Sequence, residues 1–128
     1  MSHQLEAGML SWKQLEQLER FDSAGARVLS LSLNLNLIRQ ATRSYRIAFK
    51  SLVKEVSATL TETERRDFGR EAQRVTEWFD QREPQALGLI LFSCTPRDLW
   101  LTYSVHAPVP DHLAFEVRPD IVRVGGAR

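Results

Sequence analysis

Cysteine is nearly absent from this sequence, since Cys94 is the single one among 128 residues. One thiol excludes an internal disulfide and any zinc site built from several cysteines. The chain also has no run of the roughly 20 apolar residues that a membrane span needs, and residues 1–10 lack the basic and apolar regions of a secretory signal. These absences predict a cytoplasmic protein with a reduced thiol and no membrane partner.

An excess of charge of one sign is missing as well. Lysine and arginine number 17 and aspartate and glutamate 16, so a net charge of +1 provides no overall field that would attract nucleic acid. With 5 prolines, 6 glycines and 43% hydrophobic residues, the composition is that of one ordinary globular domain. Any affinity for nucleic acid must therefore come from local clustering of charge.

Hydrophobic periodicity predicts an α+β fold. Over residues 28–37, leucines alternate with serine and asparagine, which is typical of a strand with one face in the core and the other solvated or covered by polar groups. Thr61 and Glu64 form a capping-box pattern that separates two long helices with a very short connection. We therefore predict a four-stranded mixed sheet with a long helical hairpin packed on one face, plus a short N-terminal helix. The predicted helices span 11–21, 40–60 and 62–83, and the predicted strands span 28–37, 87–94, 99–105 and 113–117.

The apolar positions of these elements predict one contiguous core between the sheet and the hairpin. Its expected members are Leu31, Leu33, Leu52, Val56, Phe68, Val75, Phe79, Ile90 and Phe92.

No pattern typical of catalysis occurs. The histidines His3, His106 and His112 have no partner at a metal-ligand spacing, and nucleotide-binding and nucleophile motifs are missing. Cys94 ends an apolar strand without a nearby histidine, which favours a structural thiol. We therefore predict no catalytic residue, no metal, no cofactor and no enzymatic activity. The helical acids are expected to be solvated or to match first-turn dipoles: Glu62, Glu64, Glu71, Glu77 and Glu83.

A row of cations on the second predicted helix is the one local pattern that indicates a function. No acidic residue occurs between Asp22 and Glu55. Offsets of four, three, four and four place the cations along one side of the helix, a local basic ridge that can track phosphates. An ordinary solvated helix face remains the alternative. The ridge consists of Arg39, Arg43, Arg46, Lys50 and Lys54.

Several segments occur in a set order along residues 10–123. They are 28–36 (VLSLSLNLN), 44–53 (SYRIAFKSLV), 88–94 (GLILFSC), 99–101 (LWL), 107–112 (APVPDH) and 118–119 (RP). In order, spacing and type of element, they resemble the N-terminal domain of the bacterial and archaeal relatives of the eukaryotic class-1 peptide-chain release factor, the superfamily that includes Pelota.

The resemblance implies a ribosome-associated domain that is the first of several in a longer factor. Termination factors of that superfamily read the stop codon through an Asn-Ile-Lys-Ser loop between the two long helices. This chain has no lysine there, so we expect no stop-codon reading from it. Peptidyl-tRNA hydrolysis in the family needs a Gly-Gly-Gln motif of the second domain, which Gly125-Gly126-Ala127 does not match. In this chain, the inter-helix loop at the position of the family's Asn-Ile-Lys-Ser loop includes Thr59, Thr61, Glu62 and Thr63.

The expected organisation is an N-terminal extension (1–9), the release-factor-like domain (10–119) and a tail or the start of a linker (120–128). The leading functional hypothesis is a domain that binds the ribosome, tRNA or rRNA without catalysis of its own. The alternative is a protein-interaction or oligomerisation module that uses the sheet edge or the exposed face of the hairpin, with a protein partner or downstream domains.

Overall fold

A computed structural model describes residues 3–5, 16, 18, 20, 21, 24–36, 44–82 and 85–120 of the chain. The described part contains five strands and two long helices. In chain order these are β1 (His3–Leu5), β2 (Val28–Asn34), α1 (Ser44–Ser57), α2 (Glu62–Gln81), β3 (Gly88–Cys94), β4 (Leu99–Val105) and β5 (His112–Glu116), with a 3₁₀ turn at Thr95–Arg97 before β4.

The strands form a single sheet in the order β1-β4-β3-β2-β5. Strands β2, β3, β4 and β5 pair antiparallel, and β1 joins β4 in parallel, with His3 opposite Leu101. The α+β class and the helical hairpin on one face of the sheet are confirmed. Strand β1 adds a fifth strand from residues 1–9, where no sequence pattern predicted one.

The alternating pattern of β2 separates the two faces of the sheet. Its leucines lie in the core beneath the hairpin, and its serines are equally buried on the opposite face. There, the hydroxyl of Ser32 donates to the carbonyl oxygen of Pro110, and the hydroxyl of Ser30 accepts from the main-chain N–H of Asp120 at 2.9 Å. The serine face of β2 was predicted to be either solvated or covered by polar groups. In the structure it is covered, and polar main-chain groups bond to its hydroxyls.

The predicted membership of the core was wrong for Ile90 and Phe92. In the β2–β3 register, Leu91 lies opposite Leu31 and Leu89 opposite Leu33, so it is Leu89 and Leu91 that face the hairpin. Ile90 and Phe92 lie in a second cluster on the other face, together with Val28, Tyr103 and Leu18. Because β3 is apolar at nearly every position, its sequence contains no alternation that tells one face from the other.

The connection between the two long helices and the end of the hairpin lie close to the predicted positions. Thr61 is the N-cap of α2: its hydroxyl accepts from the N–H of Glu64, and the Glu64 carboxylate accepts from the N–H of Thr61 at 2.9 Å. This reciprocal pair is the predicted capping box. Helix α2 ends at Gln81, and α1 is described from Ser44 onward, so the predicted start near residue 40 lies outside the described residues.

Only part of the predicted N-terminal helix lies within the described residues. Glu16 and Leu18 are helical, and the N–H of Arg20 donates to the carbonyl oxygen of Glu16 at 3.0 Å. Leu18 is buried against the sheet face that carries Ile90 and Phe92. Among the described residues, no helix is both long enough and apolar enough to cross a membrane.

Candidate nucleic-acid interface

Helix α1 carries the part of the basic ridge that the structure describes. Its apolar stripe anchors it: Tyr45 and Phe49 are buried in the core, and Leu52, Val53 and Val56 are partly buried against it. Arg39 and Arg43 lie outside the described residues. The remaining three cations, Arg46, Lys50 and Lys54, differ in their surroundings.

Arg46 is bound to the second helix of the hairpin. Its Nη2 donates to Asp80 Oδ1 at 2.7 Å, and its guanidinium carbon lies 5.9 Å from the centre of the Phe79 ring. The hydrogen bond that Arg46 donates to the Asp80 carboxylate is the main cause that raises the pKa of Arg46. Since Asp80 balances this charge, Arg46 links α1 to α2 more than it offers charge to a partner.

Lys50 and Lys54 are exposed, and neither makes an ion pair within the part of the chain that the structure describes. They lie one above the other, about 6 Å apart along the axis of α1. Ile47, three residues before Lys50, is 66% exposed and shares their face of the helix. The outer side of α1 therefore combines two free ammonium groups with an apolar side chain.

The turn between the helices is shorter than the predicted loop. Glu62 and Thr63 belong to the first turn of α2, and only residues 58–61 connect the helices. The Thr59 hydroxyl donates to the carbonyl oxygen of Val56 at 2.8 Å, and the Thr61 hydroxyl caps α2. Both hydroxyls are thus used inside the turn, whereas the side chains of Glu62 and Thr63 are exposed at its rim.

Glu71 is a buried acid for which the expectation of solvation was wrong. Its side chain is only 1% exposed, between α2 and the end of β3. Its carboxylate accepts from the Ser93 hydroxyl at 2.6 Å, the Thr95 N–H at 2.7 Å and the Thr95 hydroxyl at 2.9 Å. Arg74 Nη1 lies 3.3 Å from the same carboxylate, and its guanidinium carbon is 4.9 Å from the centre of the Trp100 ring.

These bonds engage both carboxylate oxygens of Glu71, which suits a structural role better than proton transfer to a ligand. The position of Glu71 beside Phe68, Ala72 and Val75 on the buried stripe of α2 is the signal that could have revealed its burial.

The other side chains that could take part in chemistry, a thiol, an imidazole and a hydroxyl, are buried or hydrogen-bonded within the fold. Cys94 is buried, and burial is the main cause that raises the pKa of its thiol, which disfavours the reactive thiolate. His112 Nε2 lies 3.0 Å from Asp120 Oδ2. The serine opposite His112 in the sheet, Ser32, is fully buried and donates its hydroxyl to a carbonyl. Among the described residues, no group of three potential metal ligands occurs.

No protein-family model matches this chain, and no curated protein matches it.

Proposed function

We propose that this protein is an RNA-associated binding domain, with the ribosome, tRNA or rRNA as its partner and without catalysis of its own. The observation that carries the proposal is the outer side of α1, where Lys50 and Lys54 are exposed and unpaired among the described residues. Within α1 the first acidic residue is Glu55, so no carboxylate precedes the lysines on this helix. Such a surface attracts phosphates on a protein whose net charge is only +1.

The recognition would be chiefly electrostatic. Lysine side chains are flexible and act as point charges, which suits contact with phosphates more than reading of bases. The aromatic residues of α1, Tyr45 and Phe49, are buried beneath the hairpin and are not available to stack on bases. Arg39 and Arg43, which precede α1 in the sequence, would extend the same basic ridge.

The family resemblance supports the same class of partner. Domains of the release-factor superfamily act on the ribosome, and the segments that carry the resemblance include α1 itself. The absence of a lysine in the inter-helix turn and the acids at Glu62 and Glu64 argue for a role other than stop-codon reading.

The test is a charge reversal that leaves the hairpin intact. The variant Lys50→Glu/Lys54→Glu should bind ribosomes and structured RNA about tenfold more weakly or worse at low salt, because two phosphate contacts are lost. The slope of log affinity against log salt should flatten by about 1.4 to 1.8, since each phosphate contributes about 0.7 to 0.9. Arg46 stays unchanged, because its reversal would place a carboxylate against Asp80.

The matched control is Arg97→Glu/Arg118→Glu. Both arginines are exposed and lie outside the hairpin, in the turn before β4 and after β5. The total change of charge is the same, so a general loss of positive charge would weaken both variants equally. Equal cosedimentation of the α1 variant and the wild type at low salt would contradict the proposal.

A protein-interaction module is the second candidate. The observation that favours it is the position of β5 as an outermost strand of the sheet. The absence of retention on RNA even at low salt, where electrostatic binding is strongest, would favour this candidate over the first.

A further inference from the structure

The hydrogen-bonding pattern of β2 identifies the main-chain groups that β5 leaves at the edge of the sheet. The N–H of Leu35 donates to the carbonyl oxygen of Leu87 at 2.8 Å, which continues the β2–β3 ladder through the odd-numbered residues of β2. Since an antiparallel strand directs alternate residues to opposite neighbours, the even-numbered residues of β2 point to β5. The N–H of Asn34, which donates to Asp111 Oδ1 at 2.8 Å, agrees with this direction.

The register between β2 and β5 shows which residues of β5 bond to β2. Ser32, Ser30 and Val28 lie opposite His112, Ala114 and Glu116, so these three residues of β5 make the ladder with β2. Leu113 and Phe115 consequently turn their main-chain groups away from β2.

One of these outward groups is already occupied. The carbonyl oxygen of Phe115 accepts from Arg27 Nη1 at 2.9 Å. Within the described residues, the N–H and carbonyl of Leu113 and the N–H of Phe115 have no partner. An unpaired row of this kind is a template on which another strand can add.

A cleft of about 380 Å³ runs beside this edge, between β5 and the C-terminal end of α1. All five residues of β5 line it, although their side chains alternate between the two faces of the sheet. Because residues from both faces of β5 line the cleft, the cleft must follow the edge of the strand and not one face of the sheet. Val56, Thr59 and Leu60 form its opposite wall.

The charges around the cleft favour a basic occupant. Among the described residues that line it, Arg27 carries the one guanidinium, and this group is paired with Glu64 at 3.0 Å. Glu55 and Glu116 also line the cleft, are exposed, and have no ion-pair partner among the described residues. Their carboxylates repel phosphates and attract lysine or arginine side chains.

We propose that the edge of β5 binds an extended peptide segment with basic side chains, which adds to the sheet as a further strand. The peptide main chain pairs with Leu113 and with the N–H of Phe115, and its basic side chains lie near Glu55 and Glu116. Main-chain pairing provides the affinity in this mode of binding, and the neighbouring side chains provide the selection. The proposal concerns a surface other than the Lys50–Lys54 face of α1, so either one can fail without the other.

The experiment uses the full chain, ¹⁵N-labelled, and a synthetic peptide of about nine residues with alternating valine and lysine. Amide hydrogen exchange of Leu113 and Phe115 should slow about tenfold when the peptide is present at ten times its Kd, because exchange then occurs from the free protein. The amides of His112, Ala114 and Glu116 already bond to β2 and should change little. A peptide with glutamate in place of lysine, and one with N-methylated main-chain amides, should bind at least about tenfold more weakly.

Glu116→Lys is the test variant on the protein, with Glu77→Lys on the exposed side of α2 as its control. The first should weaken binding of the lysine peptide about tenfold, and the second should leave it unchanged.

Three results would overturn the proposal. One is the absence of binding of the lysine peptide at millimolar concentration. The second is protection of Leu113 and Phe115 that grows with the concentration of the protein alone, which would make a second copy the occupant. The third is protection of these two amides by RNA, which would assign the edge to nucleic acid.

Discussion

Glu71 on α2 accepts a hydrogen bond of 2.7 Å from the main-chain N–H of Thr95, the first residue after β3. The helix is thereby tied to the end of the central strand through a carboxylate that is almost fully buried. With the hydroxyls of Ser93 and Thr95 on the same carboxylate, this contact sets where α2 lies along the sheet. The outer side of α1 is held in turn through the contacts between the two helices.

Replacement of Glu71 by alanine should lower the free energy of unfolding by about 3 kcal/mol, because the buried hydroxyl of Ser93 and the N–H and hydroxyl of Thr95 lose their shared acceptor. Urea unfolding followed by circular dichroism measures the change. Glu77→Ala, at an exposed position of the same helix, should cost about 0.5 kcal/mol or less. Similar midpoints for the two variants would mean that the network around Glu71 does not stabilise the fold.

Phe79 is the centre of the aromatic cluster between the two helices. Its ring lies 5.2 Å from that of Tyr45 and 5.6 Å from that of Phe49, both in edge-on geometry. Phe79→Ala should destabilise the protein by about 3 to 5 kcal/mol, and Leu33→Ala, also in the core, by about 2 to 5 kcal/mol. Ile47→Ala is the control, since that side chain is 66% exposed. Denaturant midpoints that barely move for Phe79→Ala would contradict the packing described.

The capping box makes the stability of the protein depend on pH in the acid range. The main-chain N–H of Thr61, with a further contribution from Arg27, holds the pKa of the Glu64 carboxyl below its ordinary value of 4.5. The stabilisation is therefore present above about pH 4.5 and is lost as the pH falls through the lower pKa of the folded state. Glu64→Gln should be less stable than wild type at pH 7, with a difference that shrinks as the pH falls below about 4.5.

The Thr61→Ala variant provides the comparison for this measurement. It removes the hydroxyl cap but keeps the titrating carboxyl, so it should cost about 1 kcal/mol with little dependence on pH. A difference between wild type and Glu64→Gln that stays constant from neutral to acid pH would show that the carboxylate charge does not matter.

Cys94 should behave as an inert thiol. Burial raises its pKa, and the thiolate is the species that reacts with alkylating agents. Iodoacetamide at pH 8 should modify the native protein no faster than the protein unfolds, whereas it should modify the urea-unfolded chain quickly. Cys94→Ser should leave RNA affinity unchanged. Rapid alkylation of the native protein would place the thiol in an accessible site instead.

Local patterns were sufficient for the secondary structure around the site. The alternation of leucine and serine in β2, the capping box at Thr61 and Glu64, and the apolar spacing of α2 each depend on residues close in sequence. Such patterns work because the periods of a strand and a helix differ and because cap bonds join near neighbours. The five cations of the basic ridge were found in the same way, and the structure describes three of them.

The surroundings of those cations could not be read from spacing. Arg46 and Lys50 both follow the helical period, yet Arg46 meets Asp80, which is 34 residues further along the chain, and Lys50 meets no acid among the described residues. A one-helix pattern contains no information about the carboxylates that a second helix brings near it.

Long-range pairing decided the remaining features. Contacts between distant segments determine which face of β3 meets the hairpin and place β1 beside β4. Such contacts also bury Glu71 against Ser93 and Thr95. The open edge of β5 likewise exists only because β2 takes one side of that strand and α1 ends beside the other. Composition and periodicity constrain the faces of each element, but the partner of each face depends on how the elements pack together.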